Sequence, residues 1–298
     1  LAFAAGPVSA QPADVVEAAY WSPALGRSLP YLTISVGAPG PGAPVVYLLH
    51  GHGGGEWDWF WAGGARETTT ALVETHVLPP LHLVMPGVGN SWYVDGPEPH
   101  GPVATVLQSE LMPMVEKALD VDPACRAMIG LSMGGFGALH LALERPADWR
   151  FVGALSPAIF APGTGFPDFQ LGLFSGAFGE PFDPARYAAA DPFARVSALA
   201  DIASPPAFYL SCGEDDFFGL DDGTRAFGKA LAAVGVPATV QIEPGYHDWA
   251  FWRSDNRLRS PPQSSHSGAR AKSTSRPAVE PKPLIRAISA AESAKSKT

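Results

Sequence analysis

The sequence predicts an α/β protein with a mostly parallel central sheet and helices on both faces. Three observations carry that reading. Short apolar runs of strand length, such as residues 45–49 (VVYLL) and 81–85 (LHLVM), alternate with longer stretches of helical spacing. These runs are continuously apolar, as expected of strands covered on both sides. The segments that follow them hold the reactive residue types: residues 50–55, 86–96, Ser132, 213–222 and 245–248. Ligands on parallel sheets bind at the carboxyl ends of the strands, where those segments fall.

Taken in order, residues 31–36 (YLTISV) read as a strand and Pro39-Gly40-Pro41-Gly42 as a tight connection. Residues 45–49 form the next strand, running into the Gly-rich loop His50-Gly51-His52-Gly53-Gly54-Gly55. Residues 81–85 follow as a strand, and residues 86–96 (PGVGNSWYVDG) read as a Gly-rich surface loop. Residues 103–119 have helical apolar spacing, with Pro113 as a kink or break. Residues 127–129 end a buried strand, 136–144 form a helix closed by Pro146, and 151–155 form a strand. Residues 207–212 and 238–242 are the last strands, with a helix at 224–234 between them. Residues 156–191 are long for a connection and rich in Phe, which predicts pocket walls or a lid.

Composition bounds the function. The 298 residues are 46% hydrophobic and 16% charged, enough for one large domain with a substantial core. No stretch has the apolar length needed to span a bilayer. Residues 1–256 carry 11 Lys or Arg against 27 Asp or Glu (−16), and residues 257–298 carry 9 against 2 (+7). An acidic body argues against nucleic acid as its partner. Cys125 and Cys212 both fall on predicted strands and are expected to be buried free thiols. The domain reading is therefore a catalytic domain over residues 11–256 and a disordered basic tail over 257–298. Beyond Trp249–Arg253 no closing amphipathic helix is recognisable, and the tail is either a basic appendage or the product of an altered reading frame. Residues 1–10 (LAFAAGPVSA) read either as the remnant of a secretory signal, with Val8-Ser9-Ala10 as a cleavage site, or as a disordered Ala-rich end. The first alternative predicts a secreted or periplasmic protein.

The chemistry centres on Gly130-Leu131-Ser132-Met133-Gly134-Gly135, a G-x-S-x-G between a strand and a helix. A strand that turns into a helix through one residue strains that residue. The small neighbours avoid a clash, and the Ser Oγ projects from the sheet edge towards the helix N-terminus. Ser132 is thus the candidate nucleophile, and a serine hydroxyl needs a base and an orienting carboxylate. His247 follows the last strand, in Pro244-Gly245-Tyr246-His247-Asp248-Trp249, and is the candidate base. The acid should lie just past residues 207–212. Asp216 is favoured, with Phe217 and Phe218 to shield it, and Asp215 is the alternative. An oxyanion hole needs two N–H donors, for which Met133 N–H and His52 N–H are the candidates. His50 and His52 as a metal pair lack a third ligand at a recognisable spacing, so no metal is expected. Trp92, Phe160 and Phe166 are candidate walls of a substrate pocket.

The blocks YLLHGHGGGEWDWF, MPGVGNSWYVD, ELMP, IGLSMGGFGALHLAL, CGEDDFF and PGYHDWAFW resemble, in order, those of the esterase D-type esterases. That family includes tributyrin-type esterases, feruloyl and acetylxylan esterases of carbohydrate esterase family one, S-formylglutathione hydrolase and the mycolyltransferases. The resemblance spans about residues 20–252. It implies an α/β-hydrolase fold with no large separate lid domain. The reading is a serine carboxylesterase that needs no cofactor, and a shallow pocket walled by Trp92 and the Phe-rich stretch, with no inserted helical lid, suggests short-chain acyl esters. By the same resemblance Ser132, Asp216 and His247 are the triad, and His52 stands where many members carry Leu. The expected partner is a small-molecule or carbohydrate ester. Acyl transfer to a sugar is the nearest alternative, and a non-catalytic binding relative is another. GLSMGG, where S-formylglutathione hydrolases usually read GHSMGG, disfavours that cytosolic activity.

Overall fold

The structure, a computed structural model, describes residues 14–165, 168–174 and 176–256. The expectations for residues 1–10, for Phe166 and for the 257–298 tail fall outside these. Eight strands form one sheet: β1 (Val15–Ser22), β2 (Arg27–Val36), β3 (Ala43–Leu49), β4 (Leu81–Pro86), β5 (Val121–Leu131), β6 (Phe151–Leu155), β7 (Ala207–Gly213) and β8 (Ala238–Glu243). Their spatial order is β1-β2-β4-β3-β5-β6-β7-β8. β1 pairs antiparallel with β2 and β2 antiparallel with β4; every other pairing is parallel. This is the α/β-hydrolase fold, and β5, which leads into Ser132, lies near its centre.

β3 and β6 are apolar throughout because each feeds two cores. Val45, Tyr47 and Leu49 of β3 pack with Trp92, Phe136 and Phe178 on one side. Val46 and Leu48 pack with Trp59, Phe151 and Tyr209 on the other. Successive strand side chains alternate between faces, so a strand covered on both sides has no polar positions to spare. Each fully buried Leu or Val stabilises the fold by roughly 1.5–3 kcal/mol relative to exposure.

Several expectations need correction. Residues 86–96 are not a surface loop: Val88, Ser91, Trp92, Tyr93 and Val94 are all buried. Trp92 and Tyr93 adopt positive φ (55° and 58°), which turns both rings inward, and the Tyr93 hydroxyl donates to the His50 carbonyl at 3.1 Å. Gly137 is required there, since a Cβ would collide with the Tyr93 ring. The Phe-rich segment is divided between cleft and core. It holds the helices Asp168–Phe174 and Pro184–Ala190, and its Phe174 and Phe178 pack with Trp92 and Tyr187.

A closing helix does form, over Trp249–Asn256. Asp248 caps it by accepting the Phe251 N–H at 2.9 Å, and Phe251 and Trp252 are buried. With aromatics at three of its first four positions, that stretch carries little helical propensity of its own, and packing supplies the difference. The 103–119 helix runs as Val103–Val106, a π-helical turn at Leu107–Leu111, and Met112–Leu119. The π turn stands just before Pro113, whose missing N–H cannot complete the regular ladder. The sequence reading missed β1, whose largely exposed side chains reflect its edge position, and the helix Ala65–Glu74. Cys125 and Cys212 are both buried.

Candidate active site

Ser132 sits between β5 and the helix Met133–Glu144 with φ 54° and ψ −119°. This is a strained conformation for a residue with a side chain. Three glycines make it possible. A Cβ on Gly130 would strike the Gly134 carbonyl, one on Gly134 would strike the Leu49 and His50 carbonyls, and one on Gly135 would reach Pro157 Cα at 2.8 Å. The Ser132 carbonyl is held by the N–H groups of Phe136 (3.0 Å) and Ala158 (3.1 Å).

The loops after β7 and β8 bring two further groups to Ser132. His247 Nε2 lies 3.0 Å from Ser132 Oγ, and its Nδ1 lies 2.7 Å from Asp216 Oδ2. A carboxylate only accepts, so Nδ1 carries the proton and Nε2 is free to accept from the serine hydroxyl. The Asp216 side chain is fully buried and that of His247 nearly so. Asp216 Oδ1 also accepts the Phe218 N–H at 3.0 Å. Asp215 is exposed, and its N–H donates to the Gly245 carbonyl at 3.0 Å. The loop turns between these adjacent residues, so one faces inward and the other faces water. Gly213 and Gly245 make the approach of the two loops possible, since a Cβ on Gly213 would strike the Gly245 carbonyl.

Met133 opens its helix, so its N–H has no intrahelical carbonyl to bind. His52 follows Gly51, whose carbonyl is held by His50 Nδ1 (2.8 Å) and the Gly54 N–H (3.1 Å). In a trans peptide the carbonyl and the following N–H point opposite ways, so the His52 N–H faces away from those two donors. His50 Nε2 accepts the Val88 N–H at 3.1 Å, so both ring nitrogens are engaged with backbone. Burial pushes the His50 imidazole to lower pKa and favours its neutral form.

A cleft of about 230 Å³ opens over Ser132. Trp92, Phe160, Leu173, Phe174 and Leu220 make an apolar end, and His52, Asp58 and Trp249 lie along the rest. Trp92 is anchored by an indole N–H to the Leu173 carbonyl at 2.8 Å and packs on Phe174 at 4.3 Å between ring centroids. Trp92 and Phe160, two of the residues proposed from the sequence as pocket walls, both line this cleft. Phe174 belongs to the Phe-rich stretch proposed as a pocket wall, whereas Asp58, Leu173, Trp249 and Trp252 were not singled out. Only the Phe content of 156–191 and the Trp57-Asp58-Trp59 block could have pointed to some of them.

A strained serine at a sheet edge, bonded to a buried histidine–carboxylate pair beside a part-apolar cleft, defines a serine hydrolase-type site on an α/β-hydrolase fold. Comparison with known proteins agrees. The family described as "Putative esterase" matches residues 22–255, and the chain belongs to it: the protein is a carboxylic ester hydrolase. It is 28% identical over 217 residues to an acetyl esterase of Caldicellulosiruptor saccharolyticus, covering 70% of this chain and 78% of that one. It is 26% identical over 283 residues to the diacylglycerol acyltransferase/mycolyltransferase Ag85A of Mycobacterium leprae, covering 83% and 82%. A solved ferulic acid esterase superposes with a TM-score of 0.68 at 27% identity, covering 80% of this chain and 93% of that one. Among the described residues no helix is long and apolar enough to cross a membrane.

Proposed function

We propose that the protein hydrolyses short-chain acyl esters through an acyl-enzyme on Ser132, with His247 as base and Asp216 as its orienting acid. The observation that carries this is His247 itself, 3.0 Å from the serine oxygen on one side and 2.7 Å from a buried carboxylate on the other. His247 Nε2 takes the hydroxyl proton as Ser132 Oγ attacks the ester carbonyl carbon. The N–H groups of Met133 and His52 receive the developing oxyanion. The same proton passes from His247 to the departing alcohol oxygen as the C–O bond breaks. A water, deprotonated in turn by His247, attacks the acyl-enzyme and releases the carboxylic acid and the free serine. Asp216 keeps the ring in the required tautomer and stabilises the imidazolium.

The cleft supports a short acyl group. Its apolar end is walled by Trp92, Phe160 and Phe174. Labelling with a fluorophosphonate, followed by peptide mapping, should place the adduct on Ser132, and Ser132→Ala should abolish both labelling and nitrophenyl acetate hydrolysis. An adduct elsewhere, or an active Ser132→Ala protein, would refute the reading.

The relationship to an acyltransferase favours one alternative, in which a sugar hydroxyl replaces water in the second step. Product analysis with added sugar alcohols separates the two, because only a transferase diverts most of the acyl group from the free acid.

A further inference from the structure

Beneath the His247–Asp216 pair lies a buried polar chain that the reaction as described does not use. The Trp252 indole N–H donates to Ser156 Oγ at 3.1 Å. The Ser156 hydroxyl interacts in turn with the Cys212 thiol. Cys212 Sγ lies 3.5 Å from Asp216 Oδ2, the same oxygen that accepts from His247 Nδ1. Ser156 and Cys212 are fully buried and Trp252 almost so. The direction of the chain follows by elimination. An indole N–H can only donate and a carboxylate can only accept, so Ser156 gives its proton to sulfur and Cys212 gives its proton to Asp216. Burial, with the Asp216 charge beside it, pushes the Cys212 thiol up and keeps it protonated.

Two more features tie this chain to the site. Ser156 holds a positive φ of 40°, a conformation that side-chain-bearing residues rarely adopt, and its N–H donates to the Ser211 carbonyl at 2.6 Å. The strain sets the hydroxyl between the indole and the thiol. Trp252 also packs its ring against that of His247, with centroids 4.9 Å apart at 84°. The outermost donor of the chain therefore touches the residue that the innermost one governs.

We propose that Cys212 is a positioning residue for the reaction: its thiol, backed by Ser156 and Trp252, donates to Asp216 Oδ2 and sets how strongly that carboxylate holds the His247 ring. This rests on the reading of Ser132, His247 and Asp216 as the triad. A thiol is a weaker donor than a hydroxyl, so it fixes the carboxylate while drawing off little of its charge. More of that charge remains for the imidazolium that forms during catalysis. The other charged groups nearby are Asp221, paired with Arg225 at 3.7 Å, the exposed Glu214, Asp215 and Asp248, and Asp58 lining the cleft. His52 is the other titratable group there.

The test is the pH dependence of kcat/KM for nitrophenyl acetate, measured on the full chain carrying Cys212→Ala, Cys212→Ser or Ser156→Ala. Cys212→Ala removes the donor, concentrates charge on Asp216 and favours the imidazolium, so the acidic limb should move up by about half a pH unit. Cys212→Ser keeps a donor, and its limb should stay at or below the wild-type position. Ser156→Ala leaves the thiol in place but unsupported, and should move the limb up by less than Cys212→Ala does. Both cysteine variants shrink the side chain, so a packing role alone would lower melting temperature in both without separating their limbs. Equal displacement of the two limbs, or none in either, overturns the inference. If Cys212→Ala does not fold, the Cys212→Ser and Ser156→Ala limbs decide, and coincidence of those two also overturns it. Ser132→Ala is the control: an inactive Ser132→Ala protein with unshifted cysteine variants refutes the Cys212 role alone, whereas an active one refutes the triad reading as well.

Discussion

His50 is locked to Val88: its Nε2 accepts the Val88 N–H at 3.1 Å, which fixes the ring proton on Nδ1 and aims it at the Gly51 carbonyl, 2.8 Å away. Two backbone segments at the carboxyl ends of β3 and β4 are thereby joined through one imidazole. The orientation of the Gly51–His52 peptide, and with it the His52 N–H, rests on that ring together with the Gly54 N–H, which donates to the same carbonyl at 3.1 Å.

Replacing His50 by Phe should keep most of the buried volume while removing one of the two donors, His50 Nδ1 and the Gly54 N–H, that hold the Gly51 carbonyl. The expected result is a fall in kcat of roughly 10- to 1000-fold with KM changed little, as for the loss of one oxyanion donor. A rise in KM at constant kcat would show that the loop serves ground-state binding instead.

Asp216 and Asp215 separate cleanly by burial, and the chemistry should follow. Asp216→Asn should lower kcat by on the order of 10⁴, because the amide no longer enforces the Nδ1–H tautomer of His247. Asp215→Asn, a change at an exposed side chain, should leave kcat within about threefold. Reversal of that order in steady-state kinetics would reassign the acid.

Acyl length should be limited by the aromatic end of the cleft. Each methylene that finds cover against Trp92, Phe160 or Phe174 gains about 0.8 kcal/mol, and one that reaches water gains nothing. Nitrophenyl esters from acetate to hexanoate should give the highest kcat/KM, followed by a plateau or decline. A profile still climbing at dodecanoate would point to a long acyl channel.

Acid should destabilise the fold before the carboxylates titrate. His50, His82 and His140 are buried, and burial lowers each below its ordinary value of 6.5. The unfolded chain therefore binds more protons than the folded one as pH falls through 6.5, and stability declines with it. Each histidine contributes a slope of at most about 1.4 kcal/mol per pH unit until it is protonated in the folded state. The urea midpoint should thus be lower near pH 5.5 than near pH 7.5. An equal or higher midpoint at the lower pH would contradict this assignment.

The candidate site was legible in the sequence wherever it sits on a short, glycine-punctuated turn. G-x-S-x-G at 130–134 is dictated locally, because only glycine fits the approaches that the Ser132 conformation imposes. His247 was legible from its place after the last strand, and the central strands from their continuous apolar runs. What the sequence left open was settled by contacts between distant segments. Asp216 rather than Asp215 faces inward because the 213–219 loop packs against the turn at Gly245. The 86–96 segment looks like surface from its glycines, yet Trp92 and Tyr93 carry it into the core against Phe174 and Gly137. Trp249–Asn256 is too short and too aromatic to announce itself as a helix, and it forms because Phe251 and Trp252 are buried against the sheet. Residues 212, 216, 156 and 252 become neighbours only when β6, β7 and that last helix converge. Local sequence encodes backbone conformation and periodicity. Which side chain faces which across a fold depends on pairings remote in the chain, and those only the folded packing decides.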